Sequence, residues 1–300
     1  ATGYVLPWSS LQDAQFLTDL LKQGIKVRFT EKPFTAEGNT YDRGTLVIVR
    51  GDNKKIASFD DAIMAAATTY NRIPVALTSG FSSSGPDFGS PDIKLVNPPK
   101  IALLSGDSTS SLSYGELWHF FEQQLHYPVS VINTNAISDI NLSKYNVLIM
   151  PNGYYGSLLD NRLLETLKKW VQAGGKLIAI DGALNSFANK EGFGLQRNTP
   201  QLDIKTDANT TLIRYADRER DNTKNLITGA IFKTQVDNTH PMAYGYDDYY
   251  FTLKLGSSSY KLLDSGYTVA YLGEDPKNSS GYAGAEALKK LNNSLVFGEH

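Results

Sequence analysis

The residue with the clearest chemical potential is Asp181, which follows a short apolar run. Residues 177–180 predict a buried strand, and Gly182 and Ala183 after it are small enough for a sharp turn into a helix. A strand, a sharp turn and a helix form the arrangement that lifts a catalytic nucleophile above the end of a sheet. A reactive cysteine or serine is expected at such a corner, and the chain contains no cysteine. The sequence therefore predicts a carboxylate in a nucleophile's position.

Other polar and small residues are expected near Asp181, because ligands bind beyond the carboxyl ends of the strands in a doubly wound sheet. Glu116 is a second catalytic candidate, and the ligand-binding candidates are Asp107, Asn152, Gly153 and Gly182. Glu116 and Asp181 could share a proton or hold a cation. The alternative, which is favoured, is that Asp181 caps the next helix with its side-chain oxygen.

His240 is the third catalytic candidate, since it lies three residues after Asp237 in a loop. The pair could act as a catalytic dyad in a hydrolase or transferase that also uses Asp181 and Glu116. The same residues are typical of turns and caps, and Pro241 could open a helical turn, which is the favoured interpretation.

Four tyrosines follow this loop, beside two aspartates: Tyr244, Tyr246, Tyr249 and Tyr250, with Asp247 and Asp248. They could form an exposed polar-aromatic surface for a peptide or a sugar. The favoured alternative is a strand edge whose tyrosines alternate into the core.

The run His119-Phe-Phe-Glu122 has the form of a zinc-binding His-x-x-Glu pair. It falls in the middle of a predicted helix, whose apolar positions are Leu117, Phe120, Phe121 and Leu125. A polar edge on an amphipathic helix explains it better than zinc ligation. The sequence therefore predicts no metal site and no bound cofactor in this chain.

Composition restricts the other partners. The formal net charge is −2, which gives no general attraction for nucleic acid. No apolar run approaches the ~20 residues that cross a membrane, so no membrane span is expected. Residues 1–4 do not begin a basic and then apolar leader, so we expect that any signal peptide is already absent.

Apolar runs alternate with amphipathic helices after residue 100, which predicts an α/β fold with a doubly wound, mostly parallel sheet. Its strands are expected at 101–105, 129–132, 147–150 and 177–180. Residues 1–97 predict a smaller N-terminal α/β domain, and 98–300 a second domain. An antiparallel β extension is expected from about residue 195, with strands at 229–236, 249–255 and 268–272, and the domain is expected to be truncated at its C-terminus.

Several stretches resemble class I glutamine amidotransferase-like domains, which are flavodoxin-like: 99–106, 114–119, 145–153 and 174–180. The chain also resembles the region downstream of the catalytic domain in large exported bacterial proteins of the zinc carboxypeptidase (carboxypeptidase A-like) family. The phrases that carry this second resemblance include 26–34, 43–46, 87–90 and 237–245.

The resemblance implies an exported protein, periplasmic or extracellular, with an upstream peptidase domain of the same chain as the partner. Zinc is then expected only in that upstream domain. This chain, without the amidotransferase cysteine, becomes a non-catalytic accessory or scaffold region. A module that binds a peptide or a glycan and a hydrolase remain the alternatives.

Overall fold

The computed structural model describes residues 1–198 and 214–300 and separates the chain into two compact units, Ala1–Ser186 and Phe187–His300. The predicted boundary between residues 97 and 98 falls inside the first unit, between its two main sheets. Within the described residues, no helix is long and apolar enough to cross a membrane.

The elements of the first unit are β1 (Gly3–Leu6), α1 (Leu11–Lys22), β2 (Arg28–Thr30), β3 (Phe34–Ala36), β4 (Asn39–Tyr41), β5 (Leu46–Val49), α2 (Phe59–Thr69), β6 (Val75–Leu77), β7 (Ile93–Leu95), β8 (Ile101–Ser105), α3 (Ser111–Trp118), β9 (Ser130–Asn133), β10 (Val147–Met150), α4 (Asn161–Gln172) and β11 (Lys176–Ala179). Those of the second are α5 (Arg218–Thr223), β12 (Ile227–Val236), β13 (Tyr249–Lys254), β14 (Tyr267–Leu272), β15 (Asn278–Ala283), α6 (Ala285–Lys290) and β16 (Ser294–Glu299).

The N-terminal part of the first unit is built on an antiparallel sheet with strand order β6-β1-β5-β2-β7. Helices α1 and α2 cover one face through buried residues such as Phe16 and Phe59, and the β3–β4 hairpin supplies Phe34 to the core of the other. Ser10 caps α1 by accepting a hydrogen bond from the Asp13 amide, and Asp13 reciprocates as a capping box.

The second sheet of this unit is parallel, with strand order β11-β10-β8-β9. This confirms the predicted parallel arrangement, and each strand lies within one residue of its expected bounds. The central strands β8 and β10 are buried, and Leu125 joins them in one core cluster, while Leu167 of α4 is also fully buried. The strand predicted to be buried at 177–180 is instead the partly exposed edge strand β11, in which Ile178 is exposed.

The helix predicted through Leu125 has two parts. α3 ends at Trp118, and residues His119–Gln124 continue as a π-helix. His126 then adopts a left-handed backbone with φ of 50° and ends the helical path.

The second unit holds an antiparallel sheet with strand order β13-β12-β14-β16, and β15 also pairs with β12. The predicted antiparallel extension is thereby confirmed for the described residues, whereas part of the 195–213 segment lies outside them. Two core clusters pack against this sheet: one includes Phe232 and Leu272, and the other includes Val269, all three of which are buried.

Candidate functional site

The corner predicted at Asp181 is present. Asp181 lies two residues after the end of β11, has a left-handed φ of 48°, and opens a 3₁₀ turn that runs to Ser186. A left-handed backbone is uncommon for a residue other than glycine and marks a sharp change of chain direction. The side chain of Asp181 is exposed. The turn therefore presents a carboxylate to solvent at the carboxyl edge of the parallel sheet.

Asn152 connects the loops at this edge. Its Oδ1 accepts a hydrogen bond from the Gly182 amide at 3.1 Å, which ties the loop after β10 to the Asp181 corner. Its own amide donates to Ser113 Oγ at 3.0 Å, and its carbonyl accepts from the Ser110 amide at 2.7 Å. A Cβ on Gly182 would lie 2.5 Å from Asn152 Oδ1, so glycine is required for this approach.

Gly153 brings the loop after β10 against the loop after β8. It forms an antiparallel bridge with Thr109, and the next amide, of Tyr154, donates to the Ser108 carbonyl at 2.9 Å. A Cβ on Gly153 would collide with the same carbonyl oxygen, which belongs to the backbone and cannot rotate away. Of the predicted candidates, the structure thus brings Asn152, Gly153 and Gly182 together.

The expectation that Asp181 caps the next helix is wrong. In the part of the chain described, the Asp181 carboxylate forms no hydrogen bond, and the neighbouring Gly182 amide is satisfied by Asn152 instead. Asp107 and Glu116 are exposed as well. Glu116 and Asp181 therefore both face water.

The hydroxyl groups near the Asp181 corner form hydrogen bonds within the loops that surround it. Thr109 Oγ1 donates to the Gly106 carbonyl at 2.7 Å, and Ser110 Oγ accepts from the Ser113 amide as the N-cap of α3. Ser113 Oγ accepts from Asn152, as described above. These hydroxyls hold loops in place, which is a structural use of side chains that could act as nucleophiles.

The His119 and Glu122 pair falls in the π-helix. His119 is exposed, and Glu122 Oε1 accepts a hydrogen bond from the Val129 amide at 3.3 Å, which links the helix to the start of β9. Among the residues that the structure describes, no group of three or more histidine, aspartate or glutamate side chains is arranged to hold a metal ion.

His240 belongs to the second unit, and its ring is 8% exposed. Its Nδ1 accepts a hydrogen bond from the Met242 amide at 3.3 Å, so His240 caps a 3₁₀ turn over Pro241–Ala243 with proline in the first turn. This confirms the favoured interpretation, in which Pro241 opens a helical turn, and it adds that His240 itself is the cap. The ring's Nε2 lies 3.3 Å from Glu299 Oε2, whereas Asp237 Oδ1 accepts from the amide and hydroxyl of Thr239.

A pocket lies beside this turn, with a volume of about 240 Å³. Its lining residues come from β12, the Pro241–Ala243 turn, the segment before β13, β13 itself and β16: Val236, Met242, Tyr246, Tyr250 and Phe297. The lining is mainly apolar, with two tyrosines as the polar contribution. Val236, Met242 and Phe297 were not among the predicted site residues, and the apolar run 295–297 indicates only that Phe297 lies in a strand.

The tyrosines after the turn are mostly exposed, so the favoured expectation of core tyrosines is wrong for three of the four. Tyr244 is buried, but Tyr246, Tyr249 and Tyr250 are between 39% and 52% exposed. The rings of Tyr246 and Tyr250 meet edge to face at 5.5 Å, and the Lys233 ammonium lies 4.1 Å from the centre of the Tyr249 ring. Such edge-to-face pairs stabilise an aromatic wall.

Strand β13 forms one edge of its sheet. In the described residues it pairs with β12 alone, through Ala230–Gln235 opposite Tyr249–Lys254. Its outward face carries Phe251 and Leu253, which are exposed. The other face carries Tyr250, which lines the pocket. A pocket and an open strand edge therefore meet at one residue.

Comparison with known proteins finds no matching family model, no matching curated protein and no matching solved structure.

Proposed function

We propose that the chain is a non-catalytic binding region in which the second unit holds an extended peptide segment. The first unit serves as a scaffold. The observation that carries the proposal is the apolar pocket at the edge strand β13, with Tyr250 common to both.

The pocket suits one large apolar side chain. A volume of about 240 Å³ is below the range of about 300–1,000 Å³ for sites that enclose a drug-sized ligand. Tyr246 and Tyr250 give rigid aromatic walls, and Met242 is a flexible side chain that adapts to the shape of its contact. Filling such a pocket with a leucine or phenylalanine side chain yields about 1.5–3 kcal/mol relative to leaving it in water.

The edge of β13 supplies the second half of a peptide site. An extended peptide can add to an open sheet edge through backbone hydrogen bonds, while pockets for alternate side chains give specificity. A peptide that pairs with β13 would run past Tyr250, and one of its side chains could enter the pocket. Backbone pairing provides affinity that is independent of sequence, and the pocket selects the residue.

A glycan is less well supported as the ligand. Sugar rings need several polar groups that converge on their hydroxyls, in addition to an aromatic face. The lining is dominated by Val236, Met242 and Phe297, which offer no strong hydrogen-bonding groups. Hydrolysis by Asp181, Glu116 and His240 is also less well supported, because the first two are exposed and His240 is occupied as a cap.

The resemblances noted in the sequence support a role for this binding region within a larger protein. We propose an exported carboxypeptidase-like metallopeptidase whose zinc lies in an upstream peptidase domain, with this chain as an accessory region of amidotransferase-like fold. The peptide would then be a segment of that domain or of its substrate. This assignment accounts for a scaffold that lacks a cysteine at its Asp181 corner.

The test uses capped pentapeptides, acetyl-Thr-Val-Xaa-Val-Thr-amide, with phenylalanine, leucine, alanine or lysine at Xaa. Binding to the isotopically labelled full chain is followed by amide chemical shifts. We expect shifts in 249–254 and at the pocket, with the phenylalanine and leucine peptides binding at least about tenfold more tightly than the alanine peptide.

The Tyr250→Ala variant should lose this discrimination. The matched control is Tyr154→Ala, because Tyr154 is an exposed tyrosine of the first unit. Equal affinities for the phenylalanine and alanine peptides, or shifts confined to other surfaces, would contradict the proposal. Chitotriose is titrated in parallel, and shifts at the pocket with chitotriose alone would favour the glycan alternative.

A further inference from the structure

We infer that protonation of His240 opens the turn that carries Met242 and so weakens binding in the pocket. This regulatory inference rests on the proposed function for its effect on binding. Its structural step, the response of the turn to protonation, can be observed without any ligand.

The contacts of the His240 ring fit one tautomer of neutral imidazole. Met242 N donates to Nδ1 at 3.3 Å, so Nδ1 must be an unprotonated acceptor. The proton of the neutral ring therefore lies on Nε2, which faces Glu299 Oε2 at 3.3 Å. In this tautomer each ring nitrogen has a partner of the correct polarity.

Protonation removes the acceptor. In an imidazolium both nitrogens are donors, so the Met242 amide would face another N–H group. The positive charge strengthens the attraction between Nε2 and the Glu299 carboxylate. Because Glu299 belongs to β16, this contact does not replace the hydrogen bond that stabilises the turn. The 3₁₀ turn over Pro241–Ala243 thus loses its side-chain cap while the ring remains held by Glu299.

Met242 transmits this change to the pocket. It is the residue whose amide binds His240, and its side chain is also part of the pocket lining. Ala243 of the same turn is fully buried against the core of the second unit. One end of the turn is therefore anchored, and the movement allowed by the lost cap falls on the Met242 end.

The titratable groups that the described contacts place around the ring come from three elements. Glu299 of β16 faces Nε2, and the ring of Tyr267 of β14 lies 5.2 Å from the imidazole centre. Asp237 precedes His240 in the same loop, with its carbonyl accepting the His240 amide at 3.2 Å and its carboxylate bound to Thr239. Imidazole side chains titrate between about pH 5 and 8, below tyrosine and above the carboxylates.

The experiment measures two quantities on the full chain between pH 8 and pH 5.5. The first is the amide resonance of Met242 without ligand, and the second is the Kd of the phenylalanine pentapeptide. We expect the Met242 resonance to shift with pH. We expect the Kd to rise about threefold to tenfold on acidification, which corresponds to the usual contribution of an N-cap.

His240→Asn is the decisive variant, because asparagine is a preferred N-cap residue whose Oδ1 accepts a hydrogen bond and does not titrate. It should keep tight binding and a constant Met242 resonance at both pH values. His300→Asn is the matched control. His300 is an exposed histidine of the same unit that contacts Ser265, and its variant should behave as the parent chain does.

A Met242 resonance that ignores pH in the parent chain would overturn the inference. So would pH-dependent binding that persists in His240→Asn. If the pentapeptide fails to bind at pH 8, the proposed function fails, and the ligand-free resonance of Met242 still decides whether His240 controls the turn.

Discussion

The carboxyl edge of the parallel sheet and the pocket of the second unit use their residues in opposite ways. At the sheet edge, Asn152 and Gly153 hold neighbouring loops together, while the carboxylate of Asp181 projects into water. At the pocket, the polar group of His240 is occupied as a cap, and the rings of Tyr246 and Tyr250 are left exposed.

The difference between the two regions shows how polar residues at a sheet edge and exposed aromatic residues should be interpreted. Polar residues at a sheet edge are also the residues that satisfy loops, so their presence alone does not indicate chemistry. Exposed aromatic side chains around a concave surface contribute little to folding, and a binding role explains them better. The variants below test whether the first region is structural and the second is free to bind.

The largest effect is expected for Gly153→Ala. The added Cβ collides with the Ser108 carbonyl, so one of the two loops must move, at a cost of ~2–3 kcal/mol in the free energy of unfolding. Urea unfolding followed by tryptophan fluorescence reports this unit alone, because Trp8, Trp118 and Trp170 all lie in it.

Gly115→Ala is the control for Gly153→Ala. Gly115 lies within α3, and a Cβ there meets no atom within 4 Å. Alanine is the better helix former, so this variant should gain ~0.5–1 kcal/mol. Parent-like unfolding of Gly153→Ala would show that the two loops do not contact each other.

A smaller loss of stability is expected for Asn152→Ala, and a still smaller one for Asp181→Ala. Asn152→Ala leaves the Gly182 amide without its acceptor and should cost ~1–2 kcal/mol in the same assay. Asp181→Ala removes an exposed carboxylate and should change stability by less than ~0.5 kcal/mol. A cost for Asp181→Ala as large as that for Asn152→Ala would restore the capping role that the structure argues against.

The next effect concerns Tyr155, which is buried and donates a hydrogen bond from its hydroxyl to the Pro151 carbonyl at 2.9 Å. Burial raises the pKa of Tyr155 above the ordinary tyrosine value. The folded chain therefore keeps a neutral phenol where the unfolded chain ionises, above pH of about 10. The stability from this group is complete below that pH and is lost as the pH rises through the folded-state pKa.

Tyr155→Phe should cost ~1 kcal/mol at pH 8, for the lost hydrogen bond. It should also lose less stability than the parent chain between pH 8 and pH 11, since phenylalanine does not ionise. Urea unfolding at the two pH values measures both quantities. Equal alkaline losses in the two proteins would mean that Tyr155 ionises freely in the folded chain.

The smallest effect is expected on the exposed face of the second unit. Leu253 is 60% exposed on β13, and threonine keeps the preference for a strand. Leu253→Thr should change thermal stability by no more than ~0.5 kcal/mol, as measured by near-ultraviolet circular dichroism. A cost above ~1.5 kcal/mol would mean that this face is covered, which would weaken the contrast between the two regions.

The sequence was sufficient for the parallel sheet. Continuous apolar runs such as 147–150 occur where a strand is buried on both faces, and glycine or proline residues delimit them. The corner at Asp181 could be predicted for a related reason, because Gly182 and Ala183 are what a sharp turn requires. The antiparallel strands of the second unit were predicted because the segments 229–236, 249–255 and 268–272 lie close together along the chain.

Other features left no local pattern. Strands β3 and β4 have three residues each, too few to show a period, although the turn chemistry around Gly38 was visible. The π-helix at His119–Gln124 keeps nearly the same apolar spacing as an α-helix. Neither feature gives its segment a distinctive spacing of apolar residues, so periodicity alone could not detect it.

The candidate site was predictable only in part, since its contacts depend on pairing between distant strands. The turn at Pro241 was predicted from the sequence, but the contact of His240 with Glu299 requires β16 to lie next to β14. Asn152 was named as a ligand-binding residue from its place after a strand. Its role in joining loops depends on the Asp181 corner approaching it, which no spacing in the sequence records.

Strand β12 also determines when the pocket can exist during folding. It pairs with β13, β14 and β15, so it is the hub of the sheet. The β12–β13 pair joins strands that are consecutive along the chain, and it brings Val236 and Tyr250 together. Phe297 lies on β16, so the pocket is complete only when β16 is paired with β14. A ligand held there would slow the departure of β16 and protect the second unit against unfolding from its C-terminal end.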